Sequence, residues 1–213
     1  SWRTIYRWVK SGVIQGGPKK LLRRKGKGGW YETRGKFGGG GKSIRKRDRG
    51  VYKRIEFGHW EADTVVSGMG KSRCCFLTLA ERKSRLYLVR KIPSREAKYA
   101  TEAIISMLSP FPRELVKTIT CDNGKEFAGW RQIEAALGCQ VYFTDAFCAW
   151  QKWTNENTNG LLRQFFPKGY NLSRYNQKYI DEKVELLNNR PKKCIGWKTP
   201  KEMILEALAK CCT

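Results

Sequence analysis

His59-Trp60-Glu61-Ala62-Asp63-Thr64-Val65-Val66-Ser67 decides the fold. Its residues alternate. Trp60, Ala62, Thr64 and Val66 fall on one face of an extended chain; Glu61, Asp63, Val65 and Ser67 fall on the other. Successive side chains of a strand point to opposite faces, so a strand over residues 59–67 is predicted. It carries two carboxylates on one side. Alternation alone leaves Glu61 and Asp63 as equal candidates for a functional acid.

Working outward, Gly68, Gly70 and Lys71 make a turn. Cys74–Ala80 and Leu86–Ile92 read as two further strands, joined as a hairpin by Glu81-Arg82-Lys83-Ser84-Arg85. Residues 94–109 read as a helix capped by Ser94, with Ala97, Thr101, Ile104, Ile105 and Leu108 inward. Pro110 and Pro112 end it. Lys117–Cys121 is a short strand that delivers Asp122 at its end. Residues 126–137 form a helix closed by Gly138, and Gln140–Phe143 a fifth strand. Helices follow at 155–165 and 175–188, and Thr199-Pro200 opens a last one through Ala209. This order predicts an α/β fold of the ribonuclease H-like kind, a mixed five-stranded sheet with flanking helices. In such sheets, functional residues gather at strand ends and on a neighbouring helix.

Two distant stretches carry the chemistry: Cys121-Asp122-Asn123-Gly124-Lys125-Glu126-Phe127 and Thr154-Asn155-Glu156-Asn157-Thr158-Asn159-Gly160-Leu161-Leu162-Arg163-Gln164. Taken singly, Asp122 suits a turn, and Glu156 suits the positive end of a helix dipole. Taken together, Asp63, Asp122 and Glu156 form a set of hard oxygen ligands of the type Mg²⁺ prefers. Three such carboxylates can hold two divalent cations, an apparatus for breaking and joining phosphodiester bonds. Asn159, Gly160 and Arg163 share the side of Glu156 at helical spacing. That side is expected to face nucleic acid, with Leu161, Leu162 and Phe165 toward the core.

The charge agrees. The chain of 213 residues has 43 Lys+Arg against 19 Asp+Glu, a net charge of +24. Such an excess repels itself and attracts polyanions. Residues 1–60 carry a net +15 of it. Residues 1–12 read as a short helix with Ile5, Trp8 and Val9 on one face and Arg3, Arg7 and Lys10 on another, stopped at Gly12. Residues 15–50 alternate glycine with base, including Lys19, Lys20, Arg23, Arg24 and Lys25, and read as a flexible cationic linker. Apolar runs are too short to span a bilayer, and no secretory signal is visible. Eight cysteines show no C-x-x-C spacing, so free, mostly buried thiols in a cytosolic setting are expected.

These segments closely resemble the insertion-sequence-30 family of bacterial transposases, DDE enzymes that share a core with retroviral integrases. The matching blocks are Phe57–Asp63, Glu81–Arg85, Thr120, Asp122–Phe127, Trp150-Gln151, Thr154–Gly169, Leu187–Lys193 and Thr199–Glu202. They cover roughly residues 44–205 in order. Thr4-Ile5-Tyr6-Arg7-Trp8 resembles the end of the family's helix-turn-helix. Where the family has Arg-Gly, this chain has Lys152-Trp153.

The resemblance implies that Asp63, rather than Glu61, joins Asp122 and Glu156 as catalytic and metal-binding residues. Asp63 would bridge two Mg²⁺ (or Mn²⁺) ions, with Asp122 and Glu156 each favouring one. It implies cleavage at element ends and strand transfer into target DNA, by a homo-oligomer assembled on DNA. It implies a bacterial cytoplasmic, nucleoid-associated protein with no membrane partner. Arg3, Arg7, Lys19, Lys20, Arg23, Arg24, Lys25, Lys152, Asn159, Arg163 and Lys168 are expected DNA contacts. The expected organisation is a helix-turn-helix remnant at 1–14, a basic Gly-rich linker at 15–52, an integrase-like catalytic core at 53–207 and a tail at 208–213. The chain starts at Ser1 within a helix and is expected to lack the natural N-terminus. Two rival readings are a metal-dependent nuclease of the same fold and a non-catalytic DNA-binding remnant.

Overall fold

The computed structural model describes residues 2–13, 40–145 and 148–211. The chain divides into two compact units, residues 1–35 and 36–213. In the first, helix α1 (Trp2–Ser11) ends at Gly12, whose φ of +79° suits glycine. Arg7 and Ile5 are exposed on it, and Arg3 lies in its first turn. Lys19, Lys20, Arg23, Arg24 and Lys25, like most of the expected linker, lie outside the described residues.

The second unit is a mixed sheet between two helical layers. Its elements are β1 (Lys42–Ser43), α2 (Gly50–Lys53), β2 (His59–Val66), β3 (Cys75–Glu81), β4 (Tyr87–Ile92), α3 (Ala97–Leu108), β5 (Thr118–Cys121), α4 (Trp130–Leu137), β6 (Gln140–Phe143), α5 (Trp153–Leu162), α6 (Gln177–Asn188) and α7 (Pro200–Cys211). The strand order is β1-β6-β5-β2-β3-β4. β1, β6, β5 and β2 run parallel in turn, and β3 and β4 are antiparallel.

The sheet therefore has six strands, not five. β1 lies inside the stretch expected to be linker, and it pairs Lys42 with Tyr142 and Ser43 with Phe143. Two residues of strand have no readable period. What holds them is Ile44, which is buried. The folded unit thus begins before residue 53, and α7 carries it past 207 to Cys211.

β3 is buried along its whole length, so Cys-Phe-Leu-Thr-Leu-Ala-Glu reads as a near-continuous apolar run. One side of the sheet buries Trp60, Ala62, Leu77, Leu79 and Ile119 with Ile104 of α3, Ile133 of α4 and Ile204 of α7. The other side buries Val65, Phe76, Tyr87 and Val89 with Leu162 of α5 and Ile180, Val184 and Leu187 of α6. The two faces of β2 thus match the alternation read from the sequence.

Two local readings change. α3 is preceded by Glu96 as its first non-helical residue, not Ser94; the Ser94 hydroxyl instead donates to Glu96 Oε1 at 2.8 Å. The helix expected over 126–137 is split into a 3-10 turn at Lys125–Phe127 and α4. The break is at Gly129, where a Cβ would stand 2.1 Å from Thr101 Oγ1 of α3. α3 approaches too closely there for any side chain.

β4 is a sheet edge, and α6 closes it. The Tyr87 N–H donates to Asn188 Oδ1 at 3.0 Å, and Asn188 Nδ2 donates to the Tyr87 carbonyl at 2.8 Å. At the helix's other end, the Lys91 N–H donates to Gln177 Oε1 and Gln177 Nε2 donates to the Val89 carbonyl, both at 2.9 Å. Side-chain amides thereby satisfy edge groups that would otherwise invite another strand. Asn188→Leu is expected to lower stability by about 2–4 kcal/mol, since it leaves a buried donor and acceptor without partners. The shift in urea midpoint measures this, and an unchanged midpoint would show that the clip contributes nothing.

Candidate active site

β2 and β5 are neighbours in parallel register, with Trp60 opposite Ile119 and Glu61 opposite Thr120. Continuing that register brings Asp63 level with Asp122, the first residue beyond β5. Neighbouring strands lie about 4.8 Å apart, so two carboxylates at one level must face one another's charge.

Lys152 answers that charge. Its Nζ lies 3.3 Å from Asp63 Oδ1 and 3.3 Å from Asp122 Oδ2, and donates to the Ala62 carbonyl at 3.1 Å. Burial by itself would push this ammonium down, but Asp63 and Asp122 outweigh it and hold the pKa above the usual lysine range. The lysine reaches this position because it closes a 3-10 turn, Ala149–Lys152, immediately before α5. Gln151 fixes that turn: its Oε1 accepts from the Asp145 N–H at 2.8 Å and its Nε2 donates to Asp145 Oδ2 at 3.2 Å.

α5 is anchored by its buried side. The Asn155 N–H donates to Glu61 Oε2 at 2.8 Å, and Asn155 Nδ2 donates to the Glu61 carbonyl at 2.8 Å. The Thr78 hydroxyl donates to Asn155 Oδ1 at 3.1 Å. One turn on, Asn159 Nδ2 donates to Asp63 Oδ2 at 2.9 Å, while the Tyr87 hydroxyl donates to Asn159 Oδ1. Burial raises the Tyr87 pKa, which keeps the phenol protonated as a donor. Asp63 is thus gripped at both oxygens, by Lys152 and Asn159.

Glu61 and Asp63 are no longer equivalent. Glu61 is wholly buried, paired with the Arg82 guanidinium and bonded to Asn155. Asp63 keeps 22% of its side chain exposed and Asp122 26%, enough for both to meet a ligand. Asp122 also accepts the Gly124 N–H at 3.0 Å, as the turn reading of Asp-Asn-Gly required. Glu156 is exposed on α5, three residues ahead of Asn159. Asp63 and Asp122 are therefore brought together, while Glu156 is exposed on the helix whose Asn159 bonds Asp63. Among the described residues, no three His, Cys, Asp or Glu side chains form a metal-binding group.

Three residues expected to contact DNA are engaged elsewhere. Lys152 is buried between the two aspartates, where its charge is already matched. Asn159 is bonded to Asp63 and Tyr87. Arg163 is turned inward, donating to the carbonyls of Val66 at 3.1 Å and Phe166 at 3.4 Å, and burial lowers its pKa. Lys168 is exposed beyond α5.

Sequence reasoning passed over Glu126. It is buried, and its Oε1 accepts from the Thr64 hydroxyl at 2.9 Å and from Arg95. This ties the turn carrying Asp122 to β2. The signal was present in Asp122-Asn123-Gly124-Lys125-Glu126-Phe127, whose glutamate precedes the fully buried Phe127.

The integrase core domain family matches residues 53–148. The chain is 40% identical over 169 residues to the transposase InsI for insertion sequence element IS30C of Escherichia coli (strain K12), across 79% of this chain and 43% of that one. It is 33% identical over 207 residues to a probable transposase for insertion-like sequence element IS1161 of Streptococcus salivarius, across 95% of this chain and 58% of that one. It is 36% identical over 209 residues to the transposase for insertion sequence element IS4351 of Bacteroides fragilis, across 95% and 63%. The chain spans about half the length of the curated relatives it matches. Its fold is similar to the catalytic core domain of BIV integrase, with a TM-score of 0.57 at 18% identity over 73% of this chain and 99% of that one. By sequence the chain is similar to these insertion-element transposases over most of its own length, and its fold is that of an integrase core.

Proposed function

We propose that this core cuts DNA strands and joins a DNA 3′-hydroxyl to a target phosphate, by in-line phosphoryl transfer that depends on divalent metal. The observation that carries the reading is the pairing of Asp63 and Asp122 across one ammonium, on adjacent parallel strands beside α5. Transposase relatives and the integrase-type fold support it.

The residues fit a divalent cation. Two partly exposed carboxylates already converge on a single positive atom, and they offer the hard oxygens that Mg²⁺ or Mn²⁺ takes. Asp63, Asp122 and Glu156 would hold the metal, Glu156 from the adjoining helical turn. Bound there, divalent cations would supply Lewis acidity and a more acidic attacking hydroxyl. The chain's own residues do the positioning. Asn159 orients Asp63, Gln151 fixes the turn bearing Lys152, and Asn155 locks α5 to β2. Exposed bases, Lys168 and Arg7 among them, supply sequence-independent attraction to phosphates. Residues 1–14 would serve as part of a DNA-recognition region and residues 15 to about 40 as a basic tether, with homo-oligomers assembling on DNA.

Asp122→Asn tests the catalytic assignment. It is expected to abolish Mg²⁺-dependent cleavage of element-end DNA while leaving DNA affinity within about two-fold, because affinity rests mainly on phosphate contacts. Cleavage at the wild-type rate would refute the role of Asp122. Joined strands among the products separate a transposase from a nuclease.

Lys152→Met tests the internal neutralisation. Leaving Asp63 and Asp122 uncompensated is expected to cost about 1–3 kcal/mol in EDTA, less than for a fully buried pair because both carboxylates remain partly exposed. Thermal unfolding should fall by several degrees, at about 2–4 °C per kcal/mol for a chain of this size. Millimolar Mg²⁺ or Mn²⁺ should recover more of the melting temperature in the variant than in the wild type. Equal melting in EDTA would show that the ammonium does not neutralise the pair.

A further inference from the structure

A second group of side chains surrounds the turn that carries Lys152, and apart from Gln151 it has no part in the chemistry above. A cavity of about 340 Å³ is lined by Tyr52, Arg54, Arg82, Gln151 and Trp153. The two aromatic rings are exposed for a folded chain, Tyr52 by 41% and Trp153 by 61%. Arg54 lies over the Trp153 ring with Cζ 5.7 Å from the centroid, and Arg47 lies over Tyr52 at 4.6 Å.

Two arginines, Arg54 and Arg82, line the cavity, and Arg47 and Arg85 stand behind them. Burial lowers the Arg54 pKa, and Arg85 and Arg82 lower it further; burial and then Arg82 lower that of Arg47. Four guanidinium groups therefore press on one another, with Glu61 as the carboxylate that offsets them. The Nε atoms of Arg47, Arg82 and Arg85 are buried without a hydrogen-bond partner, although Arg47 and Arg82 are each only 3% exposed. Backbone strain accompanies the charge. Arg54 has φ +57° and Arg85 φ +65°, two of the three non-glycine residues in the left-handed region among the described residues. Such conformations persist where the surroundings over-determine them, and they cluster at ligand sites.

We propose that this cavity is a subsite for one unpaired nucleotide of a DNA strand, with its base against Trp153 and Tyr52 and its phosphate on Arg54. The inference rests on the core acting on DNA and adds where a neighbouring nucleotide goes. An anion relieves the repulsion among the guanidinium groups. Aromatic walls take the π-face of a base, which a duplex keeps stacked and covered; an unpaired base offers it freely. The location fits. Gln151 and Trp153 flank Lys152, and Glu61 precedes Asp63 by two residues on the same face of β2. Two residues of strand span about 7 Å. A strand with one phosphate at Asp63 and Asp122 can therefore place its next nucleotide here.

The test uses the intact chain and fluorescence anisotropy without metal, so that binding is read apart from cleavage. The probes are a labelled single-stranded oligothymidylate, the same strand with abasic residues throughout, and a duplex of equal length. Trp153→Ala is expected to weaken oligothymidylate binding about ten-fold, the usual scale for losing one base–aromatic stack, and to change abasic and duplex binding less than about two-fold. Trp153→Phe should restore most of the loss. Arg54→Gln should weaken the thymidylate and abasic strands alike. Trp153 is largely exposed, so its removal does not empty the core; an unchanged circular dichroism spectrum checks this. Unaltered oligothymidylate affinity in Trp153→Ala overturns the subsite, as does an equal loss on the abasic strand. Failure of the wild type to bind any of the three probes overturns the DNA-acting reading and the subsite with it.

Discussion

The buried ammonium of Lys152 is the constraint on which the site depends. Parallel pairing of β2 and β5 brings Asp63 and Asp122 to one level, and two uncompensated carboxylates there would repel each other. A lysine at 3.3 Å from both removes that problem within the fold itself. The geometry is demanding. It needs a 3-10 turn that ends at residue 152, a glutamine that pins this turn to Asp145, and an α5 that starts on the next residue. The paired aspartates, the turn and the helix are therefore one structure, held in common by a single charge.

The helix is held to the strand with equal economy. Asn155 meets both the backbone and the carboxylate of Glu61, and through Thr78 it also reaches β3. An asparagine suits this place because it donates and accepts from one planar group. A buried ion pair is weak evidence of stability, since the desolvation of two charges offsets most of their attraction. Glu61 and Arg82 are better understood as specifying geometry. Glu61 is bonded to Asn155 on α5 and to Arg82 in the β3–β4 turn, so it fixes both with respect to Asp63 two residues away.

Much of this was legible in the sequence. The alternation in β2 gave both faces correctly because each face is buried against different partners. β6 came out over Gln140–Phe143, and Gly138 ended α4 with φ +64°. The misses have physical causes. β1 is two residues long and depends on burial of Ile44 rather than on a pattern. The break at Gly129 records how closely α3 approaches, which no local signal contains. Helical spacing placed Asn159 and Arg163 beside Glu156, but it could not tell a solvated face from one turned to Asp63 and the Val66 carbonyl. The resemblance made Lys152, standing where the family has Arg, a DNA contact, because sequence gives the sign of a charge and not its depth.

Depth also sorts the arginines. Surface lysines and arginines attract a polyanion from a distance, and salt screens them over about 10 Å. Arg47, Arg54, Arg82 and Arg85 are different, since burial shields them from solvent and they feel one another. Glu61 neutralises part of this group, and the same glutamate anchors α5 through Asn155. One buried carboxylate thus serves both the guanidinium cluster and the helix that begins beside Lys152. A substitution at Glu61 would remove one of the bonds that anchor α5 and leave the cluster still more repulsive. That double dependence accounts for a fully buried acid two residues from the partly exposed Asp63.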